Sequence, residues 1–328
     1  MTNRTSCDGA RLTQSARRRA LAQRLIALLL ILVGTAVSLW PVGETFYNNW
    51  VATTAVDDYS QSITASDADM LSAQRQTAAG YNGALMPAML TDPWSDAQEA
   101  TSVEHDDYLN ELAGFGALGR IRIPSLAVDL PIYHDATGRS LALGAGHMYG
   151  TSLPVGGAGT HAVIAGHTGS TARTYFDRLN EAVIGTTFFI DSAGATLAYQ
   201  VDKISVVSAD DLSLIQRQDG QDLVTLVTCI NGSAGERLLV RGTRIPLPER
   251  TTSEAPANSE PASTDLSIVD WMWPRLGVGG AGVLLVLLIS SSWLRSHRRV
   301  VPALARETAQ APNHLEGPEN DVQEDAIS

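Results

Sequence analysis

The chain has 328 residues, with 35 Asp and Glu against 23 Lys and Arg, and a formal net charge of −12. That balance argues against nucleic acid as a partner, because phosphate binding needs a basic face. The length allows more than one domain, but the apolar residues are unevenly spread.

Residues 1–24 form a basic N-terminal tail ending in "ARRRALAQR". The uncharged stretch 25–43 follows, and a second one occupies 276–294, before "RSHRR". Each is 19 residues long, close to the about 20 that a helix needs to cross a hydrocarbon core. Arginine clusters stay on the cytoplasmic side, so both termini are expected inside and the middle of the chain outside. Cleavage of the first stretch as a secretory signal is an alternative, and it leaves the middle outside as well. A pair of core helices in a soluble protein is a further alternative, which the arginine flanks disfavour.

Residues 44–115 have a helical texture, interrupted by the loop "GYNGALMPAMLTDPWSD". From residue 116 to 248 short β-rich runs alternate with Gly, Pro, Asp and Asn, among them "LGRIRIPSL", "THAVIAGH" and "DLVTLVTC". The rhythm predicts a mainly β fold, a closed or nearly closed antiparallel barrel. Pro124 and Pro131 beside the first strands suit an edge or a strand end. Residues 249–275 begin as a Ser, Thr, Pro and Glu-rich linker, and 295–328 read as a disordered cytoplasmic tail.

With this topology the membrane separates Cys7 from Cys229, the only cysteines, so they cannot pair. An unpaired thiol in an oxidising compartment is either reactive or held inert by burial. Cys229 closes the run "TLVTC", and Arg237 opens the next apolar run. A thiolate needs a nearby base or cation. His105, His134, His147, His161 and His167 are the extracytoplasmic histidines. His167 stands at a strand end in a Gly-flanked turn, a position where a fixed sheet can aim a side chain into a cleft. His161 is six residues earlier and shares its face if the strand is unbroken. A metal site from His161, His167 and Cys229 has no HExxH or CxxC spacing behind it, so none is expected.

"TLVTC" followed by "RLLVRGTRI" resembles the active-site signature of the sortases, membrane-anchored cysteine transpeptidases of Gram-positive bacteria. "HMYGTSLPVGGAGTHAVIAGHTG" is similar to the histidine segment of the pilus-building class C sortases. The resemblance covers roughly residues 80 to 246 and implies a sortase-like barrel of about eight strands. It implies Cys229 as nucleophile, His167 as proton donor and acceptor, and Arg237 as stabiliser of substrate and oxyanion. "TDPWSD" resembles the class C lid, with Asp92 set to pair with the active-site arginine and Trp94 to cover the cysteine; by itself Asp92–Pro93 is also an ordinary helix start. Arg237 follows Cys229 by eight residues, one fewer than is usual for the class, and Glu236 replaces a common histidine. Arg241 shares strand parity with Arg237 and stays open as the alternative. The implied reaction cleaves an LPxTG-like sorting signal through a thioacyl intermediate, transfers it to a lysine of another pilin subunit, and requires no cofactor. A housekeeping sortase acting on cell-wall precursor and a non-catalytic membrane-tethered barrel are the alternatives.

Overall fold

The computed structural model describes residues 5–86, 92, 94, 103–169, 173–230, 233–248 and 272–309. Helix α1 (Thr5–Ala65) runs unbroken from the basic tail through the first apolar stretch and beyond it. Its length has a local cause: from Glu44 to Ala79 the sequence holds no Gly or Pro that would stop a helix. Asp67 then caps α2 (Ala68–Ala84), its carboxylate accepting from the Asp69 N–H at 2.8 Å. Helix α2 absorbs the first residues of the expected loop from Gly80 to Ala84, and α3 (Val103–Asn110) follows. Of that loop, residues 87–91, 93, 95 and 96 lie outside the described residues, as do 97–102 after it. So do the linker residues 249–271 and the tail from 310.

The last helix, here α5 (Met272–Ala309), starts before Leu276 and continues well past Leu294, into the segment expected to be disordered. Both α1 and α5 contain a stretch long and apolar enough to cross a membrane. The chain divides into two compact units, and one of them comprises Trp40–Met272. In the other, Gly279 packs on Leu39 and Gly282 on Thr35, each too closely to admit a β-carbon.

The larger unit is built on eight strands: β1 (Gly119–Ile123), β2 (Val128–His134), β3 (Ala145–His147), β4 (Thr160–Ala165), β5 (Thr187–Ser192), β6 (Ala195–Ser208), β7 (Asp222–Ile230) and β8 (Ser233–Ile245). They close into a barrel, as the strand rhythm predicts, and their order round it is β1-β2-β3-β4-β7-β8-β6-β5. The pairings are mostly antiparallel, but β2 with β3 and β4 with β7 run parallel. Parallel neighbours need crossover connections, and those here carry loops and a short helix, α4 (Gly138–Leu143), that hairpin signals do not reveal.

Local chemistry explains the pieces. In "GRIRI" the isoleucines Ile121 and Ile123 are buried while the arginines point outward. Arg120 donates to Asp129 on β2 at 2.7 Å, and Arg122 donates to Asp191 on β5 at 2.8 Å. The β5–β6 hairpin turns on Ala193 and Gly194, both with positive φ, a two-residue turn matched to strand twist. Pro131 lies within β2, where pairing with β3 begins only at Ile132. The missing N–H therefore falls in the stretch of β2 that β3 leaves uncovered. Ile121, Ile132, Phe188, Ile190, Tyr199, Leu226 and Val240 fill the core. The part of α1 beyond Trp40 is tied to this barrel. Asn49 donates to the Thr174 hydroxyl at 2.9 Å, and the Tyr59 hydroxyl accepts from the Ala193 N–H at 3.0 Å.

Candidate active site

Strand β7 carries Cys229 to its penultimate position, and β8 returns antiparallel with Arg237 directly opposite. Ile230 pairs with Ser233, so the three residues Ala234 to Glu236 bulge out on β8 before pairing resumes. With the short eight-residue spacing the arginine still lies across from the thiol. Arg241 sits four residues further along β8, opposite Thr225, where it is bound bidentately by Asp202 at 3.0 and 2.7 Å. Arg244 reaches Asp222 and the Tyr199 ring. The geometry brings Arg237, not Arg241, to Cys229.

His167 arrives from the neighbouring strand. Strand β4 is buried throughout and ends at Ala165, parallel to β7 with Ala165 opposite Val227. The Gly166 N–H donates to the Val227 carbonyl at 3.0 Å, and the Thr228 hydroxyl donates to the Gly166 carbonyl at 2.7 Å. Those two bonds clamp the residue before His167 to the strand that bears the cysteine. A β-carbon at Gly166 would stand 2.6 Å from the buried Phe176 ring. Gly166→Ala is therefore expected to lower stability by about 1–3 kcal/mol and to lower activity with it, because either Phe176 or the His167 turn must shift. Thermal unfolding and a transfer assay on the same variant check this.

His161 does not join the group. The strand stops before His167, so the shared face expected for the two histidines does not extend that far. The His161 ring is buried between the Gln216 carbonyl, 2.9 Å from Nδ1, and the Thr225 hydroxyl, 2.7 Å from Nε2. Burial lowers its pKa, and it behaves as a satisfied core histidine. His105, His134 and His147 surround Tyr108 of α3 instead. The Tyr108 hydroxyl lies 3.0 Å from His147 Nδ1, and burial brings the His147 pKa down to about 4. His105 pairs with Asp135 at 2.8 Å. These contacts fasten α3 to the barrel. Among the described residues, no group of three or more His, Cys, Asp or Glu could hold a metal ion.

Asp92 and Trp94 both reach the rim. The Arg237 guanidinium donates bidentately to Asp92, Nε to Oδ1 and Nη2 to Oδ2, both at 2.8 Å. The side chains of this pair are only 6% and 12% exposed. Asp92 also accepts from the Trp94 N–H at 3.2 Å. The Trp94 ring lies under the guanidinium, 4.8 Å from Cζ to the ring centroid. Its indole Nε1 donates to His167 Nδ1 in a long contact of 3.4 Å. A bond in that sense requires Nδ1 to be bare, which places the proton of a neutral imidazole on Nε2.

The sequence reading misses the seat of Trp94: Met148, Val163, Ile215, Val227 and Leu239. Ile215 comes from the segment between β6 and β7, where only the apolar pattern in "DLSLI" hints at a wall. Met148, Val207, Leu212, Ile215 and Leu239 line a small groove together with Asp92 and Arg237.

Electrostatics hold this arrangement at rest. The Cys229 thiol pKa is raised, first by burial, with Arg237 opposing and Asp92 reinforcing. His167 is lowered, first by burial and then by the charge of Arg173. Arg237 is raised, chiefly by its hydrogen bonds to Asp92. A raised thiol beside a lowered imidazole favours the neutral pair.

Comparison with known proteins agrees with this architecture. A family model described as "Sortase domain" matches residues 121–245. Sortase C-1 from Actinomyces oris is 42% identical, with a TM-score of 0.54, covering 55% of this chain and 99% of that one. Sortase C from Streptococcus pneumoniae is 33% identical at a TM-score of 0.55, covering 58% of this chain and 96% of that one. Sortase A from Streptococcus agalactiae serotype III (strain NEM316) is 30% identical over 127 residues, 38% of this chain and 51% of that protein. The match thus spans about half the length of that curated relative. The chain belongs to the sortase family. Its solved structural neighbours include several sortases C from different bacteria.

Proposed function

We propose that the protein is a membrane-anchored cysteine transpeptidase that joins pilin subunits. In this reading, 25–43 and 276–294 span the membrane, 44–115 carry the lid, 116–248 form the catalytic barrel on the extracytoplasmic face, and 249–275 tether it to the second span. Cys229 is the nucleophile, His167 the proton carrier and Arg237 the oxyanion and substrate stabiliser. The observation that carries the reading is the pairing of Cys229 directly opposite an arginine that the lid residue Asp92 grips through both Nε and Nη2.

The Cys229 thiol gives its proton to His167, and the resulting thiolate attacks a peptide carbonyl of an LPxTG-like sorting signal while Arg237, released from Asp92, faces the oxygen as it gains charge. His167 gives a proton to the departing amine as the C–N bond breaks, leaving a thioester on Cys229. A pilin lysine amine then adds to the thioester carbonyl, passes a proton to His167, and expels the thiolate. Support for pilins as substrates comes from the Streptococcus pneumoniae relative, a sortase C described for its pilin substrate specificity, and from the pilus-related sortase C of Group B Streptococcus.

The test is to incubate the full chain with candidate sorting peptides and weigh the protein. An adduct of the acyl fragment on Cys229 is expected, and Cys229→Ala should form none. An adduct that persists in Cys229→Ala overturns the assignment. Release of the fragment to a pilin lysine and not to a cell-wall cross-bridge amine separates pilus assembly from wall anchoring.

A further inference from the structure

The barrel has two rims, and the chain holds them at different heights along α1. Asn49 and Asn48 meet Thr174 and Tyr175, in the segment that leaves His167. Tyr59 meets Ala193, at the finish of β5, ten residues further along the helix. At 1.5 Å per residue the two anchor points are about 15 Å apart on α1. The His167 anchor is the nearer one to Gly43, about 9 Å beyond it by the same rise. Strand β5 is antiparallel to β6, and β6 runs in the same direction as β7. The start of β5 therefore points to the rim where β7 delivers Cys229.

The turn that enters β5 has an unusual surface. Thr186 N–H donates to the Val183 carbonyl at 2.9 Å, and Gly185 takes φ +96°. The Thr186 hydroxyl accepts from the Val183 N–H at 3.1 Å, and Gly185 N–H is bound by the Val201 carbonyl at 2.8 Å. So fixed, the turn presents Val183 and Ile184 to the outside, 64% and 61% exposed. On α1 the Tyr47 and Trp50 rings are also exposed, 6.1 Å apart. The segment 173–186 has two arginines, Arg173 and Arg178, and two acids, Asp177 and Glu181, so its net charge is 2 − 2 = 0 in a chain of −12. Apolar tips, interfacial aromatics and a neutral approach are what a lipid surface accepts from an otherwise acidic protein.

We propose that Val183, Ile184, Tyr47 and Trp50 form a seat on the headgroup–acyl boundary of the outer leaflet, which turns the rim bearing Cys229 toward the bilayer. The inference rests on the membrane-anchored reading above. The seat is separate from the reaction chemistry, and it fixes the height and tilt of the cleft over the membrane.

The test uses the full chain with Cys7→Ser and Cys229→Ala, reconstituted into phosphatidylcholine–phosphatidylglycerol vesicles. A polarity-sensitive fluorophore is attached in turn at Ile184→Cys, Val183→Cys, Asp219→Cys near the start of β7 at the opposite rim, and Leu29→Cys in the first apolar stretch. Nitroxide lipids labelled near the headgroup are expected to quench positions 183 and 184 at least about threefold more than 219, with blue-shifted emission. Deep nitroxides are expected to quench position 29. If 29 is quenched while 183 and 184 match 219, the seat is refuted and the anchor stands. If 29 is not quenched, the anchored reading fails and takes the seat with it.

Discussion

Replacing Asp92 and Trp94 together with alanine is expected to speed alkylation of Cys229 at neutral pH by roughly tenfold. At rest the thiol is held protonated by burial, and Asp92 adds negative charge beside it while engaging the guanidinium that would offset it. Removing Asp92 takes away one raising influence and leaves the lowering charge of Arg237 unopposed by that carboxylate. Removing Trp94 lets water into the site, reducing the burial penalty on the thiolate, and frees His167 Nδ1. All of these changes act in one direction, so the rise of the alkylation rate should move to lower pH. Iodoacetamide labelling across pH, followed by mass, reads both effects. An unchanged rate and an unchanged profile would sink the lid role. Arg237 also loses its buried partner in this variant, so a fall in melting temperature is expected beside the gain in reactivity.

Arg237→Lys should cost about 10² to 10³ in kcat/KM for transfer, as loss of a placed oxyanion donor does. An ammonium cannot reproduce the planar fork that Asp92 grips through Nε and Nη2. Arg241→Ala should leave kcat/KM within about twofold and cost less than about 1 kcal/mol, because its pair with Asp202 lies on the barrel's outer surface. A large loss at Arg241 with none at Arg237 would reverse the assignment of the two arginines.

Much of this was legible before any coordinates. Alternating "GRIRI" and the uninterrupted "THAVIA" declare strands because side chains alternate across a sheet and an inner strand is apolar on both faces. What periodicity does not carry is which strand lies beside which. The parallel placement of β4 against β7 depends on contacts between residues more than sixty positions apart, such as Ala165 with Val227. The fate of His161 was hidden for a related reason. Its partners, Gln216 and Thr225, come from distant segments, and a strand end at Ala165 moves His167 off its face. The bulge at Ala234–Glu236 is hidden too, because it depends on how β8 pairs with β7 and not on any residue type in the turn.

Strands β6 and β7 run in the same direction with β8 between them, so residues 209–221 must travel the height of the barrel outside the wall. That detour supplies Leu212 and Ile215 to the groove beside Asp92 without contributing a rung to the sheet. The wall beside Asp92 and the strands that hold the sulfur and its facing guanidinium are thereby separable parts, so the detour can be lengthened or exchanged without moving either of those two side chains.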